Sequence, residues 1–120
     1  MLEASATSKC PWVAVHAKLD FLKLINWKVA WTATQGHLDV ADASSIKVFG
    51  TEFYMEALRL LTEVVGQSGA LRRGSAGAAL LGRLEMYQRS LVILTFGGGT
   101  NEIQRDLIAI FGLGMPRSLR

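Results

Sequence analysis

From Pro11 onward, an apolar stripe runs through Val15, Leu19, Leu22, Asn26 or Ile25, and Val29, spacings of three and four that predict a helix. Pro11 suits its first turn, where a missing N–H is harmless, and Gly36 supplies its stop. Trp12, Trp27 and Trp31 fall on other faces, so this helix is apolar on more than one side, as a helix wedged between neighbours is. A second helix is expected to start near Asp39 to Asp42, whose carboxylates suit an N-cap and the positive end of the helix dipole. Its stripe runs Ile46, Phe49, Phe53, Ala57, Leu60 and Val64, and it ends at Gly66 and Gly69. The segment GQSGALRRGSAG then reads as an exposed loop. Ser75 is the expected cap of a third helix with the stripe Leu80, Leu84, Tyr87, Leu91 and Leu94. Thr100, Ile103, Leu107 and Ile110 outline a short final helix before GLGMPR. There is no internal repeat and no β-alternation long enough for a strand. The fold class that follows is all-α, an antiparallel bundle of three long helices and a short C-terminal one.

Composition narrows the functions open to such a bundle. At 120 residues, half of them hydrophobic, the chain holds one domain. Residues 1–10, MLEASATSKC, read as a disordered lead-in or an expression boundary without the apolar core of a signal peptide, and residues 11–120 as the domain. The net charge of +3 is scattered among carboxylates rather than gathered into a basic stripe, so nucleic acid is not an expected partner. Cys10 is the single cysteine, which excludes an internal disulfide and points to a reducing cytoplasm. With only His16 and His37 besides, no metal-ligand cluster forms, and the histidines read as a helix-surface and a loop residue. Lys18, Asp20, Lys23 and Lys28 interrupt the longest apolar candidate, so no membrane span is expected. Long helices apolar on several faces imply a partner surface, either an oligomer or the rest of a larger chain.

One stretch asks for a chemical explanation. In FGGGTNEIQRD, Phe96 to Asp106, three consecutive glycines precede a threonine and a helical pattern. Such a turn costs conformational entropy and packs nothing, so something is expected to approach its backbone. Glycines before a helix start let N–H groups converge with the dipole's positive end behind them, a geometry suited to an anion. The plainer reading is a flexible connector.

The stretch LTFGGGTNEIQRDLIA, ending in GLGMPR, resembles the C-terminal signature of the flavin-dependent acyl-CoA dehydrogenases. ADASSIKVFGTEF is similar to that family's lysine-bearing second helix, LLTEVVGQSGAL to its helix end and glycine loop, and RLEMYQRSLVI to its next helix. The resemblance covers about Trp12 to Arg117. The LKLINWKVAW and ILTFGGGTNEIQRD wording looks most like actinobacterial members that act on CoA-activated steroid side chains as mixed-subunit tetramers.

What the resemblance implies is a C-terminal helical domain, here without its first helix and so incomplete relative to the family's four-helix domain. In the family it follows a helical domain and a β-domain that hold FAD and the acyl-CoA thioester. A carboxylate base removes the α-proton, a hydride passes from the β-carbon to the flavin, and an electron-transfer acceptor reoxidises it. Homo- or hetero-oligomers of family subunits are implied. By the same likeness Gly99 and Thr100 match contacts to FAD, and Glu102 matches a flavin-contacting Gln or Glu. So close to a pyrophosphate, Glu102 is better suited to accept from a ribose or ribityl hydroxyl, or it simply stabilises the helix dipole. Glu63, Gly66 and Gln67 match a segment that meets the adenosine end of the neighbouring subunit's FAD, and otherwise read as a helix end and its cap.

The chain departs from the pattern at Gly98, where many members carry the catalytic glutamate. Glycine takes no proton. A subset of the family keeps glycine there and places its base on the first helix of the domain, which has no counterpart before Pro11. Gly98 retains the backbone N–H that, in the family, hydrogen-bonds the thioester carbonyl and acidifies the α-proton. The segment alone is therefore expected to be inactive. The contrasting expectation is a non-catalytic helical interaction module that keeps the family's shape. An anion-binding helical domain unrelated to flavin is the third.

Overall fold

The computed structural model describes residues 11–117 and contains four α-helices: α1 (Pro11–Thr34), α2 (Val40–Val65), α3 (Arg83–Ser90) and α4 (Asn101–Leu107). The lead-in 1–10, and Cys10 with it, lies outside the described residues. No strand occurs among the described residues, and the all-α fold expected from the sequence is what the chain adopts.

α2 is the helix on which the others lie. Asp39 caps it as expected, its side chain accepting from the Ala41 N–H at 2.7 Å. Gly66 closes it with positive φ, donating its N–H to the Thr62 carbonyl. Five residues connect α1 to α2, and the pairs Lys18–Glu56 and Lys28–Asp42 fix the direction: as numbering rises on α1 it falls on α2, so the two run antiparallel. Leu22, Phe53 and Ala57 form the core of this contact, with Val15, Leu19, Ile25, Ile46 and Phe49 around them. These are the residues of the two predicted stripes. The tryptophans of α1 stay outside it: Trp27 is 68% and Trp31 64% exposed. Among the described residues no large side chain is completely buried.

The third helix differs from its expectation. Ser75 caps nothing; its N–H turns back to the Arg72 carbonyl at 3.1 Å. Leu80 and Leu81 sit in the left-handed region at φ 50° and 57°, and α3 begins only at Arg83. The reason is a close backbone crossing. A Cβ on Gly82 would lie 2.3 Å from the Arg73 nitrogen, so residues 72–73 pass directly across the point where an earlier helix would have run. Of the expected stripe only Leu84 is buried, against Gly69, while Leu80 is 67% exposed. After Ser90 the chain tightens into a 3₁₀ segment, Leu91–Thr95, that carries it down α2 to the glycine turn. α4 follows and ends in a wider π turn, Ile108–Gly112, with Gly112 against Ala41 at the start of α2.

Candidate functional site

The glycine turn is built by its neighbours rather than by packing of its own. Gly98 and Gly99 both take positive φ, 70° and 95°, which only glycine adopts without strain. A Cβ on Gly98 would meet open space, whereas one on Gly99 would press on Gln104 Nε2 at 3.2 Å. The Gln104 amide donates to the Gly98 carbonyl at 2.7 Å, and the Gly99 N–H donates back to Phe96. Thr100 caps α4, its hydroxyl oxygen accepting from the Ile103 N–H. Among the described residues the Gly98 N–H has no hydrogen-bond partner, and the residue is exposed.

Behind the turn stands Lys47 of α2. Its ammonium donates to the Thr95 carbonyl at 3.2 Å, the Gly99 carbonyl at 2.7 Å and Asn101 Oδ1 at 2.6 Å. Asn101 is buried, and its amide group donates to Thr51 Oγ1 and Glu52 Oε1. Glu52 also accepts from Arg105. Lys47 and Thr51 are one helical turn apart on α2 and so share the face that meets α4. Every buried polar side-chain atom among the described residues finds a partner.

Glu102 lies exposed on the first turn of α4. Its carboxyl is held below the ordinary 4.5, first by its own backbone N–H, then by the Thr100 hydroxyl, with the charges of Arg105 and Lys47 adding to these against a desolvation that opposes them. It is therefore an ionised acceptor at neutral pH. Glu63, Gly66 and Gln67 stand elsewhere, exposed at the C-terminal end of α2, where Glu63 pairs with Arg59 one turn back. Nineteen residues of helix separate Gly66 from Lys47, about 28 Å along the axis. The structure thus gathers Gly98, Gly99, Thr100 and Glu102 into one ledge and keeps Glu63, Gly66 and Gln67 apart as another.

Lys47, Asn101 and Gln104 were not among the candidate site residues, although Lys47 is the lysine of the motif ADASSIKVFGTEF. A signal for Lys47 was present: between Ile46 and Val48 it has no acidic residue three or four positions away, so nothing on its own helix can pair with its charge. Asn101 and Gln104 carried no comparable signal. Among the described residues no helix is long and apolar enough to cross a membrane, and no group of three His, Cys, Asp or Glu residues could hold a metal ion.

A helical layer whose glycine turn caps a short last helix, and whose central helix supplies a lysine to that turn, defines the class. Residues 11–112 match the family model of the acyl-CoA dehydrogenase C-terminal domain, and the chain belongs to this family. Acyl-CoA dehydrogenase FadE26 of Mycobacterium tuberculosis (strain ATCC 25618 / H37Rv) is 54% identical over 110 residues, which are 88% of this chain and 27% of the relative. The crystal structure of the ChsE4-ChsE5 complex from Mycobacterium tuberculosis matches with a TM-score of 0.81 at 55% identity, over 89% of this chain and 27% of that one. The Tcur3481-Tcur3483 steroid ACAD matches with a TM-score of 0.84 at 41% identity, over 92% of this chain and 30% of that one. The chain thus spans less than a third of the length of these relatives. The family resemblance drawn from the motifs holds.

Proposed function

We propose that the chain serves as the C-terminal helical domain of an FAD-dependent enzyme that desaturates the α,β bond of an acyl-CoA thioester, with a steroid side chain as the acyl class. The observation that carries this reading is the exposed N–H of Gly98, without a partner among the described residues, in a turn whose Gly97 and Gly99 N–H groups and Gly98 and Gly99 carbonyls are bonded. Donated to a thioester carbonyl, that N–H stabilises the negative charge developing on oxygen as the α-proton leaves. No carboxylate occupies position 98, so the proton passes to a base outside this turn.

The residues of the ledge fit a flavin nucleotide. Open space over Gly98 admits a ligand to the backbone, and Thr100 offers a hydroxyl at the start of a helix. The ionised Glu102 suits a ribose or ribityl hydroxyl and disfavours a phosphate. When bound, FAD supplies the acceptor for the β-hydride. Glu63, Gly66 and Gln67 form the second contact, to the adenosine end of a partner subunit's FAD. The steroid class is supported by the name of the Tcur3481-Tcur3483 relative, and assembly with family subunits by the paired names of both solved relatives. The exposed tryptophans of α1 support the same assembly.

The test is FAD affinity in the complete protein containing this chain. Thr100→Val removes the hydroxyl while keeping the shape, and FAD binding is expected to weaken by about tenfold, roughly 1.4 kcal/mol. Thr100→Ser keeps both hydroxyl and cap and is expected to bind as the parent does. If Thr100→Val held FAD as tightly as the parent, or if the parent bound none, the flavin reading of the ledge would fall.

A further inference from the structure

We infer that Lys47 is the positioning residue of the glycine turn, fixing its orientation from the reverse side and strengthening the Thr100 N–H as a donor. The inference rests on the reading of the turn as a cofactor and thioester contact. Three oxygens surround the ammonium: one from Thr95 before the turn, one from Gly99 within it and one from Asn101 after it. A single side chain therefore ties the entry, the middle and the exit of a segment that has no side chains of its own to lock it. A lysine carries three donors, and here each has an acceptor.

The charge matters as much as the count. Among the described residues no carboxylate forms an ion pair with Lys47, although seven other cationic side chains do have such partners. Its positive charge falls instead on carbonyl dipoles. The Gly99 carbonyl belongs to the same peptide group as the Thr100 N–H. A charge-assisted bond to that oxygen polarises the peptide and makes its N–H a stronger donor. Gln104 treats the preceding peptide the same way with a neutral donor, at 2.7 Å to the Gly98 carbonyl. Consecutive peptides at the ledge are thus each held by the carbonyl, and the Gly98 N–H lies at the edge of this held unit.

Asn101 keeps the ammonium in place. Buried and bonded to Thr51 and Glu52, it presents its oxygen to Lys47 from a fixed position at the first residue of α4. The lysine therefore joins α2 to the turn through a link that has no slack on the α4 side.

The experiment compares Lys47→Met and Lys47→Arg with the parent in the complete protein, reading amide hydrogen exchange and the affinity for FAD. Lys47→Met is expected to speed exchange in residues 96–103 by about tenfold or more while leaving residues 53–61 of α2 within about twofold, and to weaken FAD binding by about tenfold. Lys47→Arg restores a charged donor and is expected to recover most of both effects. Should Lys47→Met not fold, Lys47→Gln, which keeps a donor without the charge, is expected to give the same pattern at smaller amplitude. Turn exchange unchanged in the variant overturns the inference. So does an equal rise throughout α1 and α2, which a general structural role would produce, and so does a loosened turn with FAD affinity intact. A parent protein that binds no FAD but whose turn loosens in Lys47→Met would sink the flavin reading while leaving the lysine as the turn's anchor.

Discussion

α1 and α4 lie on the same helix and are held to it by different physics. α1 buries Leu22 against Phe53 and Ala57 and leaves Trp27 and Trp31 mostly in solvent. α4 is a third of its length, yet its first residue is buried and bonded through Asn101 to three residues of α2. Apolar contact is roughly proportional to area and has no direction, so it leaves surplus surface for a partner to cover. Hydrogen bonds saturate. The proposed site, which would present backbone groups at fixed positions, is built from the second kind of contact, and the surface proposed to meet another subunit from the first.

The largest effect separating the two regions is expected from Phe53→Ala, at about 3–5 kcal/mol, because Phe53 is only 5% exposed at the centre of the α1 contact. Trp12, Trp27 and Trp31 all lie on α1, so tryptophan fluorescence in a denaturant titration reports its release. Hydrogen exchange at residues 96–103 is expected to stay protected beyond that release; simultaneous loss would show that the two contacts are one cooperative unit. Asn101→Leu comes next. It leaves Lys47 one acceptor short and removes the amide donor to the Thr51 hydroxyl, a cost of about 1–3 kcal/mol in the same titration. A neutral result would mean that α4 is held by its apolar residues after all. The smallest effect on stability, within about 0.5 kcal/mol, is expected from Trp27→Ser. Its consequence is instead weaker association, measured by sedimentation velocity of the complete protein. Destabilisation comparable to that of Phe53→Ala would show that Trp27 is covered within the chain.

The readable parts of the fold were those set by local rules. Asp39 as a cap, Gly66 as a stop, Thr100 before the last helix, and the stripes from Val15 to Val29 and Ile46 to Ala57 all depend on residues a few positions apart. The beginning of the third helix was hidden because its obstacle, the crossing of residues 72–73 over Gly82, is a contact between backbones that no side-chain pattern announces. The ledge itself was legible in Gly98 to Glu102, but what holds it was not. Lys47 lies 48 to 54 residues from its acceptors, and the traces it left, the lysine of the ADASSIKVFGTEF motif and a charge with no partner on its own helix, gave no hint of what it holds.

α2 also acts as a gauge. Its uninterrupted 26 residues link the glycine ledge to the exposed end at Glu63 to Gln67, and a helix transmits angle as rigidly as distance. Each residue added between them would turn one end by about 100° relative to the other while lengthening the span by only about 1.5 Å. Residue count along this helix therefore sets a rotational phase between two surfaces about 28 Å apart. Length change here would cost alignment long before it cost reach.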